Sequence, residues 1–227
     1  MRDEIFEYGR LHPAAETDHR IANHLSLVAG LLRLGKKSLP PHDMISRAEV
    51  ERLLDDCSQR IEAVARVHRL LAAQAHDDGW IDVRDYLQEI AESMVESLAA
   101  RGALTLRLEC RKGCCVRAGH VAPLGLIVTE LITNAVKYAH PTGVAGVLTV
   151  GCAPAAAGFS IVRVSDDGVG LPEEMDPATS GNIGFRLIRS LVQRVDGDID
   201  YDSSCMGLAV TLRIPSRPIA GIARRSV

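Results

Sequence analysis

No stretch of this chain approaches the roughly 18 consecutive apolar residues that cross a bilayer. Its first residues, Met1-Arg2-Asp3-Glu4-Ile5-Phe6-Glu7, lack the charged-then-apolar layout of a signal peptide. A cytoplasmic protein without membrane insertion is expected. Excess positive charge is also missing: 26 Lys and Arg face 29 Asp and Glu, for a net charge of −3. The electrostatic footprint of a nucleic-acid binder is therefore absent. The one basic cluster, Arg217, Arg224 and Arg225, falls in a Ser/Pro/Gly/Arg-rich segment, so 216–227 is expected to be a disordered tail. There is no internal repeat and no low-complexity tract.

The six cysteines (57, 110, 114, 115, 152 and 205) include no Cys-x2-Cys pair and lie mostly in apolar or strand-like runs. That pattern argues against a disulfide scaffold. A zinc cluster of Cys110, Cys114, Cys115 and His120 is disfavoured, because adjacent Cys114 and Cys115 would face opposite sides of a strand. The favoured reading is a structural hairpin: Leu104 to Cys110, the turn Arg111-Lys112-Gly113, then Cys114 to Arg117.

What is present divides near residues 73–80, where Ala73-Gln74-Ala75-His76-Asp77-Asp78-Gly79-Trp80 interrupts a long helical pattern. Residues 1–76 are expected to form one domain and 77–215 another. In the first, a helix runs from Pro13 to Gly35 with apolar positions Ile21, Leu25, Val28 and Leu32. After a connection over 36–45, the capping box Ser46-Arg47-Ala48-Glu49 opens a second helix carrying Val50, Leu53, Leu54, Cys57, Ile61, Val64, Val67 and Leu71. Two helices have no complete core, and a symmetric homodimer supplies one as a four-helix bundle.

The second domain reads as helices near 83–101, 121–139 and 183–195 with strands near 146–152, 159–165, 198–203 and 206–214. Helices on one face of a mixed sheet are expected, an α+β chain overall.

Within it, the apolar strand ending at Val164-Ser165 runs into Asp166-Asp167-Gly168-Val169-Gly170, and Gly181-Asn182-Ile183-Gly184 follows. One fixed carboxylate beside bare backbone outlines a nucleotide pocket. Asp167 is expected to face solvent. Upstream, Glu130, Asn134 and Lys137 lie at i, i+4 and i+7, a polar stripe on an apolar helix. Gly181 and Gly184 precede a helix whose first amides can meet a phosphate. Residues 172–181 form a short polar loop bounded by proline, expected to be a lid.

These three segments resemble the G1, G2 and N boxes of the Bergerat-fold ATPases. The resemblance implies ATP and Mg²⁺: Asp166 for the adenine amino group, Gly168 and Gly170 for close approach, Asn134 for the metal. Glu130 would orient a metal-bound water, and Lys137 or Tyr138 would meet phosphate or ribose. The pocket does not fix the reaction, because several enzyme classes share it.

The first helix narrows the choice. Glu16-Thr17-Asp18-His19-Arg20-Ile21-Ala22-Asn23 resembles the phospho-acceptor segment of the HisKA_2 histidine kinases, and Pro123 to Leu131 is similar to that family's N box. The resemblance spans about 14–214 and implies autophosphorylation on His19, then transfer to an aspartate of a response-regulator receiver domain. The family's usual lysine after His-Arg-Val is Ala22 here, a positive contact that Arg20 would replace. His19 shares a face with Asn23, Ser26 and Arg33, away from the apolar stripe. Glu16, one turn earlier on that face, suits the role of imidazole partner; Asp18 is rotated by about 100°.

With only about twelve residues before the first helix, signal input is expected from a separate sensor protein, or else a constitutive or orphan kinase is expected. Two other readings stay open: a histidine phosphotransfer protein with a non-catalytic ATPase-like domain, and an anti-sigma-type serine kinase.

Overall fold

The computed structural model describes residues 29–30, 33, 46–48, 50–51, 54–55, 58, 61–62, 65, 79–98, 104–142, 144–179 and 183–217. His19, Glu16, Asp18 and Arg20 lie outside these residues, as does most of the expected first helix; positions 29, 30 and 33 are helical. In the expected second helix, every described position from Arg47 to Ala65 is helical and exposed. Its first turn closes with the Val50 N–H donating to the Ser46 carbonyl at 3.1 Å. Val50, Leu54 and Ile61, spaced to share one helix face, are exposed.

From Gly79 onward the chain builds helices on one face of a sheet. The elements in order are β1 (Trp80–Asp82), α1 (Arg84–Leu98), β2 (Leu104–Cys110), β3 (Cys115–Arg117) and α2 (Ala118–Asn134). A π-helical turn (Ala135–Ala139) prolongs α2, and β4 (Gly146–Ala155), β5 (Phe159–Asp166), α3 (Ile183–Arg194), β6 (Asp198–Ser204) and β7 (Gly207–Pro215) follow. Five strands form the main sheet in the order β2-β4-β5-β7-β6; β2 and β4 are parallel and the other pairs antiparallel.

Alternation explains the strands. Leu148, Val150 and Cys152 of β4, Val162 and Val164 of β5, and Val210, Leu212 and Ile214 of β7 all point into the core, with less buried residues between them. On the helix side, Tyr86, Leu87, Ile90, Ala91 and Met94 of α1 recur at helical spacing and are buried. The α2 helix differs because every residue from Val121 to Thr133 is buried. A helix that is apolar all round belongs in the middle of a fold, and α2 packs against both α1 and α3. Its polar hydroxyls bond back into their own helix: Thr129 Oγ1 donates to the Gly125 carbonyl at 2.9 Å and Thr133 Oγ1 to the Thr129 carbonyl at 2.8 Å. With its π-helical turn it is the one described helix long and apolar enough to span a bilayer, but 78% of that window is buried in this core.

The expected hairpin between Leu104–Cys110 and Cys114–Arg117 does not form. β2 pairs instead with β4, and β3 pairs antiparallel with β1, Trp80 opposite Arg117. Asp82 explains the redirection: its Oδ2 accepts from the Gly113 N–H at 2.8 Å while its Oδ1 accepts from the Arg84 N–H at 3.0 Å. One carboxylate thereby holds both the Arg111–Gly113 turn and the first turn of α1, and Trp80 belongs to a strand rather than a linker.

Candidate functional site

Inward alternation along β5 carries Asp166 to the end of the core side of the sheet, opposite Leu148 of β4. Its Oδ1 accepts from the Gly168 N–H at 3.0 Å and from the Leu208 N–H of β7 at 3.3 Å. Burial is the larger influence and holds the Asp166 carboxyl above the ordinary carboxylate range, against the two N–H donors that favour its charge.

Asp167 faces solvent as expected, and its carboxylate is also engaged. Its Oδ1 accepts from the Val147 N–H at 2.7 Å and lies 2.9 Å from His140 Nε2. The Val147 N–H foremost, then His140, pulls its pKa below the ordinary range. Adjacent carboxylates are thus pushed in opposite directions, one by burial and one by donors.

The glycine segment is fixed at both ends. The Val169 N–H donates to the Ala139 carbonyl at 3.0 Å, and the Leu171 N–H to Ser203 Oγ at 2.8 Å. At Gly168 a Cβ would run into the Ala139 backbone; at Gly170, where φ is +71°, it would meet the Ser204 carbonyl. These two positions need glycine for contact and for conformation respectively.

Between these elements lies a cavity of about 390 Å³ whose lining includes Asn134, Ala139, Asp166, Gly170, Met175 and Phe185. Its walls are mainly apolar and its polar side chains few, the composition of a small-molecule pocket. Tyr138, largely exposed, also lines it, as do Ala135, Val169, Leu171, Pro172 and Leu208. The amide nitrogen of Asn134 is buried and has no hydrogen-bond partner among the described residues. An unpaired buried amide costs free energy unless something bound there meets it.

The other expected residues fall around the cavity without lining it. Glu130 is buried one turn below Asn134, Lys137 is half-buried in the π-helical turn, and Gly168 backs the wall through Ala139. Gly184 is buried in the first turn of α3; Gly181 lies outside the described residues. Of the expected lid, Pro172 and Met175 line the cavity. Asp176 folds its tip by accepting from the Ala178 N–H at 2.8 Å and Thr179 Oγ1 at 2.6 Å, and Arg189 Nη1 of α3 donates to the Pro177 carbonyl at 2.6 Å. The apolar walls Leu171, Met175, Phe185 and Leu208 escaped sequence reasoning, since each reads as ordinary core. His140 had no local signal, because its partner is 27 residues away.

No group of three or more His, Cys, Asp or Glu able to hold a metal occurs among the described residues, so the zinc reading gains nothing. His120 lies 3.9 Å from Asp196 instead.

Residues 119–218 match the family of histidine kinase-, DNA gyrase B- and HSP90-like ATPases. This half of the chain is an ATP-binding domain of that class. Residues 16–98 match the HisKA_2 family, described as histidine kinase. The chain thus carries a HisKA_2 histidine kinase segment followed by an ATPase domain of the histidine kinase type. It is 28% identical over 204 residues to blue-light-activated histidine kinase 2 of Erythrobacter litoralis, covering 88% of this chain and 56% of that protein. The sensor histidine kinase PdtaS of Mycobacterium tuberculosis is 28% identical over 203 residues, covering 88% of this chain and 38% of its own length. Among solved structures, the Erythrobacter litoralis EL346 blue-light activated histidine kinase superposes with a TM-score of 0.69 at 26% identity, over 95% of this chain and 62% of that one. The chain therefore spans only about half, or less, of the length of these curated relatives.

Proposed function

We propose that this chain is an ATP-dependent protein histidine kinase that phosphorylates itself on His19 and passes the phosphoryl group to an aspartate of a response-regulator receiver domain. The observation that carries the reading is the cavity between Asp166 and Asn134: an apolar slot with one anchored carboxylate and one buried amide nitrogen that has no partner among the described residues, in a chain whose residues 16–98 match a histidine kinase family.

Asp166 keeps one oxygen on two backbone N–H groups and leaves the other for the exocyclic amino group of adenine. Gly168 and Gly170 let the backbone close on the base. Asn134 would hold Mg²⁺ through its amide oxygen, with Glu130 behind it orienting a water, while its amide nitrogen, without a partner among the described residues, donates to an oxygen of the nucleotide. Bound there, Mg²⁺ would neutralise charge on the nucleotide phosphates. Lys137 and Tyr138 then serve phosphate or ribose, the amides from Gly181 to Gly184 meet the phosphate chain, and the lid over 172–181 excludes water.

Neutral His19 attacks the γ-phosphorus in line; the N–P bond forms as the bond to the bridging oxygen breaks, and ADP leaves. Glu16 fixes the imidazole tautomer, with Asp18 the alternative, and Arg20 supplies positive charge near the acceptor. The chain divides into a dimerisation and phosphotransfer hairpin at 1–76, the ATP-binding domain at 77–215, and a tail at 216–227. Exposed Val50, Leu54 and Ile61 on one helix face favour a homodimeric bundle. The kinase works in the cytoplasm.

The test is incubation with γ-labelled ATP and Mg²⁺. Wild type should acquire an acid-labile, alkali-stable label that His19→Ala and Asn134→Ala both lack. Label retained in His19→Ala sinks the assignment of the acceptor, and failure of wild type to bind Mg-ATP sinks the kinase reading.

A further inference from the structure

Three thiols converge at the edge of the main sheet, away from the nucleotide cavity. Cys110 ends the edge strand β2, and Cys152 is its register partner on the parallel strand β4. The Cys152 thiol lowers the pKa of both the Cys110 and the Cys114 thiols, and each of the three sulfurs also faces a backbone carbonyl, Cys114 that of Ile161 at 4.0 Å and Cys152 that of Arg111 at 4.0 Å. The backbone pins the pair from the other side: the Arg111 N–H donates to the Cys152 carbonyl at 2.7 Å, and Cys110 Sγ lies 3.8 Å from the Val150 carbonyl. Adjacent strands run about 4.8 Å apart, inside the Cα separation of roughly 4.4–6.8 Å that a disulfide accepts. All three cysteines are free thiols, and no metal-binding group forms around them among the described residues.

We propose that Cys110 and Cys152 form a peroxide-oxidisable dithiol whose product is an intrachain disulfide bridging β2 and β4. The two sulfurs differ in access: Cys152 is 3% exposed and Cys114 is fully buried, whereas Cys110 is partly open to solvent. They also differ in acidity. Contact with the Cys152 thiol, aided by Arg84, pulls Cys110 below the ordinary thiol range, while its two sulfur neighbours push Cys152 far above it. Cys110 is therefore the nucleophile and Cys152 the resolving thiol.

In the first step the Cys110 thiolate attacks one peroxide oxygen; an S–O bond forms, the O–O bond breaks, and the departing oxygen leaves as water or alcohol after taking a proton. In the second, the Cys152 sulfur displaces the sulfenic oxygen, the S–S bond forms, and water carries off that oxygen with the Cys152 proton. Two thiols lose two electrons and one peroxide gains them. Cys114 remains a thiol beside Cys152.

The test treats the folded wild-type chain with stoichiometric hydrogen peroxide, blocks remaining thiols with an alkylating agent, and maps non-reduced peptides by mass spectrometry. The expected product is a peptide pair joined through Cys110 and Cys152, lighter by about 2 Da than the two free peptides together. In Cys152→Ala, Cys110 should accumulate as sulfenic acid trapped by dimedone, and Cys114→Ala should still form the bridge. Native wild type that keeps both Cys110 and Cys152 alkylatable after peroxide, a Cys114–Cys152 bridge in place of the expected one, or stoichiometric zinc released from these thiols would each overturn the proposal.

Discussion

Replacing Asp166 by asparagine separates recognition from folding at one side chain. In the wild type one carboxylate oxygen accepts from the Gly168 and Leu208 N–H groups at 3.0 and 3.3 Å. An amide oxygen can take over both bonds, so the surrounding backbone should hold. The amide NH₂ must then occupy the second oxygen's place, since turning it inward would set a donor against two donors. An incoming adenine amino group would meet a donor where it had an acceptor. A hydrogen bond to a charged acceptor contributes about 1.5–3 kcal/mol, so ATP should bind roughly 10- to 150-fold more weakly, at about 1.4 kcal/mol per tenfold. Asp166→Ala behaves differently because it strips both backbone donors of their acceptor. Each part-buried N–H left unpaired costs about 1–3 kcal/mol, so the alanine variant should lose stability as well as affinity. Calorimetric titration with Mg-ATP and thermal melting of all three proteins resolve the two effects. An asparagine variant that melts like wild type and binds ATP within about threefold of it would refute the role assigned to Asp166.

Four further outcomes follow from the same geometry. Burial raises the pKa of Asp166 in the folded chain, so its ionised form, needed for adenine, is lost on acidification at a pH above the ordinary carboxylate range; wild-type ATP affinity should fall there relative to Asp166→Asn, whose site cannot titrate. The Asp167 pKa is depressed, so its contribution to stability is present above the unfolded value and is lost as pH falls through the lower folded value; acid melting of Asp167→Asn should be flatter than that of wild type in that lower window, by a small margin because the group is half-exposed. Gly168→Ala forces a Cβ into the Ala139 backbone, which should cost about 1–3 kcal/mol by overpacking and abolish measurable nucleotide binding; a variant with wild-type affinity and melting point would contradict the close approach. Arg189→Ala removes the donor to the Pro177 carbonyl and should speed nucleotide release severalfold in stopped-flow displacement, and an unchanged release rate would show that this tether does not hold the loop.

The α2 helix and the strands β4 to β7 were legible because their signals are local and long: thirteen successive buried positions in α2, and clean inside-outside alternation in the strands. Asp166, Gly168, Gly170 and Asn134 were legible because one residue type at one spacing serves one geometric need. The misread hairpin has the opposite cause. Arg111-Lys112-Gly113 is good turn chemistry and does turn, but what each flanking strand pairs with is decided by Asp82 and by β4, far away in sequence. Three-residue β1 is too short to show a period. Asp167 is exposed as its sequence suggests, but its partners Val147 and His140 left no signal because both come from beyond its local segment.

The parallel pairing of β2 with β4 bears on how this domain assembles. Antiparallel neighbours such as β4 and β5 or β6 and β7 are joined by short turns and can zip as hairpins soon after collapse. β2 cannot, since residues 111–145, including all of α2, must first cross over before its register with β4 exists. Closing that loop early costs entropy with little returned, so β2 should dock late, as a finishing strand on a sheet already built around α2. In native-state hydrogen exchange its amides should then open at lower free energy than those of β5 and β7 at the centre of the sheet.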